Sequence, residues 1–149
     1  MPDRWAVTPA VCSLQVPSSK SLDGVKILLV EDDEDIRELL RMTLEARGAV
    51  LTAVESSSAA VAAIGTSPPD IVISDISMPG EDGHALLRKV RSLPLARGGK
   101  IPAIALTALD SREARLASRA AGFHYHLTKP VDPGKLVDIV AGLVRLTGA

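Results

Sequence analysis

The chain has 149 residues, of which 46% are hydrophobic and 23% charged, and its formal net charge is −1. This composition is typical of one globular domain, and the charge gives no reason to expect a nucleic acid or an anionic membrane as a partner. The single cysteine, Cys12, excludes an internal disulfide framework. No apolar run approaches the roughly 18 residues of a membrane-spanning helix, so we expect a soluble, cytoplasmic protein.

The first 23 residues contain three prolines and the polar cluster PSSKS, without any sustained hydrophobic period. This pattern is typical of a flexible tail or of a linker from a larger chain. We therefore predict a tail over residues 1–23 and a domain over residues 24–147.

From residue 25 onward, short apolar runs alternate with segments of helical period. The predicted strands are 25–30, 49–54, 70–75, 101–108 and 123–128. The predicted helices lie within 31–48 and at 56–65, 84–93, 111–122 and 132–146. Such alternation predicts the α/β class: a single doubly wound (βα)5 domain with a parallel sheet, right-handed crossovers and helices on both faces.

In folds of this kind, ligands bind at the carboxyl ends of the strands, so the residues at those ends are the candidate site residues. Four of the five predicted strands end in a residue that can carry chemistry. These residues are Glu31, Asp32 and Asp33 after the first strand, Asp75 at the end of the third, Thr107 in the fourth and Lys129 after the fifth. Carboxylates from separate loops suit Mg²⁺, and an aspartate can act as a nucleophile toward phosphorus. An ammonium group and a hydroxyl can then neutralise phosphoryl oxygens, which predicts phosphoryl chemistry at this edge.

The blocks ILLVEDDEDIRELL, DIVISDISMPGEDG, ALTA and LTKPV, in this order, resemble the signature of the response-regulator receiver domain, the CheY-like domain of two-component signalling. The resemblance spans about residues 25–146. It implies a flavodoxin-like sheet with strand order 2-1-3-4-5. It also implies a signalling domain that is not an enzyme, either alone or as a module of a hybrid histidine kinase.

The same resemblance implies a role for each site residue. Asp75 would accept a phosphoryl group from the phosphohistidine of a histidine kinase or phosphotransfer protein, assisted by Thr107 and Lys129. Mg²⁺ would be held by Glu31, Asp32, Asp75 and the backbone carbonyl of Ser77. The Lys129–Pro130 peptide would be cis.

Switching would involve Thr107 and the position three residues before the lysine, where the family usually has Tyr or Phe and this chain has His126. A downstream protein would then contact the surface of the fourth helix, fifth strand and fifth helix, and phosphorylation could bring two copies together as a homodimer. Arg112, Arg115 and Arg119 on the fourth helix are either a solvated face or part of this surface. Only three residues follow residue 146, so we expect output by protein contact and no DNA-binding unit.

Alternative interpretations exist for each of these features. Asp75 could be a turn residue, the acids of 31–35 could serve only the helix dipole, and Thr107 could be a packing residue. His84, His124 and His126 could be imagined as zinc ligands, although no fourth ligand lies near them in the pattern. A receiver-like interaction module that is never phosphorylated is the main functional alternative. A haloacid-dehalogenase-like phosphohydrolase is less favoured, because its second aspartate would stand where the chain has Ser77.

Overall fold

The computed structural model describes residues 21–76, 82–94, 99–109 and 111–146. Five parallel strands form one sheet in the order β2-β1-β3-β4-β5. The strands are β1 (Lys26–Val30), β2 (Val50–Val54), β3 (Ile71–Asp75), β4 (Ala103–Thr107) and β5 (Tyr125–Thr128). The helices are α1 (Glu34–Glu45), α2 (Ser57–Thr66), α3 (Gly83–Arg91), α4 (Arg112–Ala121) and α5 (Pro133–Leu146). The predicted fold class and strand order are confirmed.

The core has two layers because successive side chains of a strand point to opposite faces of the sheet. On β1, Ile27 and Leu29 join the cluster that contains side chains of α1 and α5, whereas Leu28 and Val30 join the cluster under α2, α3 and α4. Strands β3 and β4 are buried along their whole length. The candidate residues at their ends therefore stand on strands that are enclosed by the core.

Helix α4 is anchored differently from its neighbours. Its buried residues are Ser118 and Ala121, while α3 buries two leucines and a valine. Leu116 of α4 is instead 54% exposed. The helix therefore packs on the sheet through small side chains.

The element boundaries differ from the predicted ones by one or two residues. Shifts of two residues occur at the start of β4, at the end of α3 and at the start of β5. Strand β5 begins at Tyr125 because α4 ends at Gly122 in the left-handed conformation (φ 116°). The N–H of Phe123 then donates to the carbonyl of Ser118, which closes the helix end and holds the chain out of the strand.

The tail boundary stays a prediction, since residues 1–20 lie outside the described residues. Leu22, which the sequence placed with the tail, is only 1% exposed and belongs to the core. Its N–H donates to the carbonyl of Arg47 at 2.8 Å, so ordered packing begins by this residue. Among the helices of the described residues, none combines the length and the apolar character needed to cross a bilayer.

Candidate functional site

Parallel pairing brings the ends of the central strands to one edge of the sheet. Asp75 of β3 pairs with Leu106 of β4, and Thr107 pairs with Thr128 of β5. Glu31 follows β1 directly, and its N–H donates to the carbonyl of Val54. The candidate residues that come from four separate parts of the sequence therefore meet at one edge.

Lys129 joins two of the carboxylates. Its Nζ lies 3.0 Å from Oε1 of Glu31 and 3.2 Å from Oδ2 of Asp75. Glu31 is fully buried, and Asp75 is 4% exposed. Burial alone would lower the pKa of Lys129, but the close contact and charge of Glu31, with the charge of Asp75, outweigh it and raise that pKa. This ammonium is therefore held in its charged form between the two acids.

Burial and, to a smaller extent, the neighbouring Asp75 raise the pKa of the Glu31 carboxyl group to about 7, although the side chain of Lys129 acts in the opposite direction. Its Oε1 is buried and accepts no well-directed hydrogen bond from the described residues, although Lys129 lies beside it. An added cation would satisfy this oxygen.

Neighbouring groups fix the loop after β1. The N–H of Asp33 donates to Oε2 of Glu31. The carboxylate of Asp33 caps α1 by accepting from the N–H of Ile36. Asp33 therefore has the capping role that one interpretation of the acidic run gave it. Arg37 donates from Nη1 to the carbonyl of Glu31 at 2.9 Å, a contact that nothing in the sequence pattern indicated.

The donor set suits a hard divalent cation. Glu31, Asp32 and Asp75 each offer a carboxylate oxygen, and these oxygens all lie within 4.8 Å of one another. Asp32 is exposed, so solvent water can complete the coordination, as Mg²⁺ prefers. Ser77, the fourth predicted ligand, lies outside the described residues.

Thr107 is 3% exposed and links the ends of β4 and β5. Its carbonyl accepts from the N–H of Lys129 at 2.7 Å, and its Oγ1 accepts from the N–H of Leu109 at 3.0 Å. The Lys129–Pro130 peptide is cis, as the resemblance implied.

The ring of His126 is held from two sides. Its Nε2 lies 3.0 Å from the carbonyl oxygen of Leu109, and its Nδ1 lies 3.3 Å from Oγ of Ser118. Nε2 of His84 lies 3.4 Å from the same Ser118 hydroxyl. Sequence reasoning missed Ser118, because the residues of this group are 8 and 34 positions apart and belong to different elements.

The zinc alternative gains no support from the described residues. His124 lies before β5, where its Nδ1 accepts from the N–H of Ala103 and approaches Arg91. In the described part of the chain, the acidic group of Glu31, Asp32 and Asp75 is the cluster that could hold a metal.

Gly83 positions the end of β3 against the start of α3. A Cβ at this residue would lie 2.5 Å from the carbonyl oxygen of Asp75 and 3.0 Å from Cα of Ile76. The N–H of Gly83 also donates to the carbonyl of Ile76 at 2.9 Å. Only a residue without a side chain permits this close approach beside Asp75.

Fold and site together define a flavodoxin-like α/β protein with an acidic, lysine-paired centre at the carboxyl edge of its sheet. Residues 27–141 match the family described as the response regulator receiver domain. The chain belongs to this family, whose domains act in two-component signalling as phosphorylation-dependent switches.

Individual relatives agree with this assignment. The chain is 42% identical over 121 residues to an uncharacterized 14.6 kDa protein in the sodA1 3′ region of Leptolyngbya boryana, covering 81% of this chain and 91% of that one. It is 37% identical to the response regulator protein FleR of Pseudomonas aeruginosa, covering 79% of this chain but only 24% of FleR. Among solved structures, the signal receiver domain of a histidine kinase from Syntrophus aciditrophicus is 34% identical with a TM-score of 0.74, covering 82% of this chain and 91% of that one.

Proposed function

We propose that Asp75 is the phosphoacceptor, and that it takes its phosphoryl group from the phosphohistidine of a histidine kinase or a phosphotransfer protein. The observation that carries this proposal is the position of Asp75: almost fully buried, 3.2 Å from the Lys129 ammonium and within a cluster of three carboxylates. An aspartate that only served a turn would have no need of a half-buried lysine shared with a second, buried acid.

In the proposed transfer, a carboxylate oxygen of Asp75 attacks phosphorus. A P–O bond forms as the P–N bond of the phosphohistidine breaks, and the leaving imidazole nitrogen keeps the electron pair and takes up a proton. Lys129 then stabilises charge on a phosphoryl oxygen, and the hydroxyl of Thr107 donates to another. The domain thus assists its own phosphotransfer without being an enzyme toward other substrates.

Glu31, Asp32 and Asp75, with the backbone carbonyl of Ser77, would hold Mg²⁺ at this centre. When bound, the ion supplies positive charge that offsets the negative phosphoryl oxygens. The buried Oε1 of Glu31 supports this assignment, because it faces the cluster without a well-directed hydrogen bond from the described residues.

The proposed output surface combines α4, β5 and α5 and would contact a downstream protein. It carries a groove of about 320 Å³, lined in part by Arg115, Arg119 and Tyr125. Leu116 lies 54% exposed on the same helix, so the surface offers both cationic and apolar contacts. We place the protein in the cytoplasm, as a single receiver or a module of a hybrid kinase, with dimerisation following phosphorylation.

The direct test is intact mass after incubation with acetyl phosphate, with and without Mg²⁺. We expect a phosphoryl adduct on the parent only when Mg²⁺ is present, and none on Asp75→Asn. Asp138→Asn is the matched control, since it removes an exposed carboxylate on α5 and should be phosphorylated like the parent. Absence of both the adduct and beryllofluoride binding on the folded parent would instead favour the interaction module that is never phosphorylated.

A further inference from the structure

A continuous set of polar contacts links α3, α4 and β5 to Thr107, beside the proposed phosphorylation site. His84 in the first turn of α3 contacts the hydroxyl of Ser118 on α4, and the same hydroxyl contacts His126 of β5. The ring of His126 also contacts the backbone carbonyl of Leu109 through Nε2, and the N–H of Leu109 donates to Oγ1 of Thr107. Ser118 is 2% exposed, so its hydroxyl cannot be satisfied by bulk water.

The chemistry of the groups gives these contacts a direction. A carbonyl can only accept, so Nε2 of His126 must carry the proton that it donates to Leu109. In the neutral ring Nδ1 then accepts from the hydroxyl of Ser118, and the oxygen of Ser118 accepts from Nε2–H of His84. Each hydrogen bond requires the next, and the network assigns one tautomer to each ring.

The final bond of the network acts on Thr107. Because the N–H of Leu109 donates to Oγ1 of Thr107, one lone pair of this oxygen is occupied and its proton remains available as a donor. A donor fixed in advance stabilises developing negative charge better than one that must first reorient.

We infer that Ser118, supported by His84, is a positioning residue for the phosphorylation reaction: it holds His126 on the Leu109 carbonyl and thereby keeps the hydroxyl of Thr107 ready to donate to a phosphoryl oxygen. The inference rests on the proposed function of Asp75. In this arrangement the ring at the switch position does not rotate freely, because its contacts connect it to α4 and, through Ser118, to α3.

The test compares beryllofluoride binding, in the presence of Mg²⁺, for the full chain and three variants. Ser118→Ala should weaken binding about fivefold, the effect of one hydrogen bond. His84→Phe keeps a ring beside Phe123 but removes the donor, and should weaken binding in the same direction by a smaller factor. Ser57→Ala, which removes the hydroxyl of another buried serine on α2, should leave binding unchanged.

Nitrogen chemical shifts of the imidazole rings provide a readout that a merely structural role would not move. The parent should show His126 with its proton on Nε2, and Ser118→Ala should show a mixture of tautomers while melting within a few degrees of the Ser57→Ala control. The inference is overturned if Ser118→Ala changes the tautomer but binds beryllofluoride like the parent, or if the parent carries the proton on Nδ1. A parent with the Nε2 tautomer that binds no beryllofluoride refutes the proposed function, and with it the role of Ser118 in that reaction.

Discussion

Replacing Gly83 with alanine should damage both the stability of the domain and the geometry of Asp75. The added Cβ would lie 2.5 Å from the carbonyl oxygen of Asp75 and 3.0 Å from Cα of Ile76. Both obstacles are backbone atoms, so a side-chain rotation cannot relieve them, and α3 must move from β3 by nearly an ångström. Overpacking of this kind costs about 2 kcal/mol, which corresponds to a fall in Tm of about 4–8 °C for a domain of this size.

The matched control is Gly142→Ala in α5, where a new Cβ would meet no atom within 4 Å. Alanine is a better helix former than glycine, so this variant should gain about 0.5–1 kcal/mol and a slightly higher Tm. Thermal melts and beryllofluoride titrations of both variants give the answer. If Gly83→Ala melts like Gly142→Ala and binds beryllofluoride like the parent, the close approach at Asp75 has no energetic meaning and the reasoning is wrong.

Three further outcomes follow from the structure. Lys129→Met removes the ammonium 3.2 Å from Asp75. Titrations should show beryllofluoride binding weakened at least about tenfold, as expected for a lost charge-assisted contact. Unaltered binding would show that Lys129 does not contribute to the site. Arg91→Lys loses the planar fork that reaches two backbone carbonyls and should cost about 1–2 kcal/mol in denaturant melts, whereas Arg88→Lys, on the exposed side of the same helix, should be neutral. Burial and the charge of Arg91 lower the pKa of His124, so the unfolded chain binds protons more readily than the folded one, and stability should fall as the pH drops below about 6.5. His124→Asn should flatten this dependence in melts across pH 5–8, and an unchanged slope would assign it to other groups.

The fold followed from features that are local in sequence. Five apolar runs and five segments of helical period predicted the element order. Each strand and helix contributes its own apolar side chains to the core, so its pattern can be read from its own residues. The edge with Glu31, Asp75 and Lys129 followed as well, since parallel strands must end on the same side.

Contacts between distant side chains were not predictable in this way. Arg37 reaches the Glu31 carbonyl, and Ser118 meets rings from two other elements, through choices of rotamer that no period in the sequence records. The start of β5 was misplaced for a related reason. Phe123 packs in the core next to the end of α4 at Gly122. In the sequence, a buried apolar residue at this point cannot be told apart from the first residue of a buried strand.

The small anchors of α4 have a consequence for motion. A helix held by leucine and valine side chains must empty shaped cavities when it slides, and this resists displacement strongly. Helix α4 rests on Ser118 and Ala121, which fill little volume, so a shift of this helix would open little cavity space. Its backbone amides should exchange with deuterated solvent earlier than those of α3 and α5, which makes α4 the part of the output surface most easily displaced by an event at the strand ends.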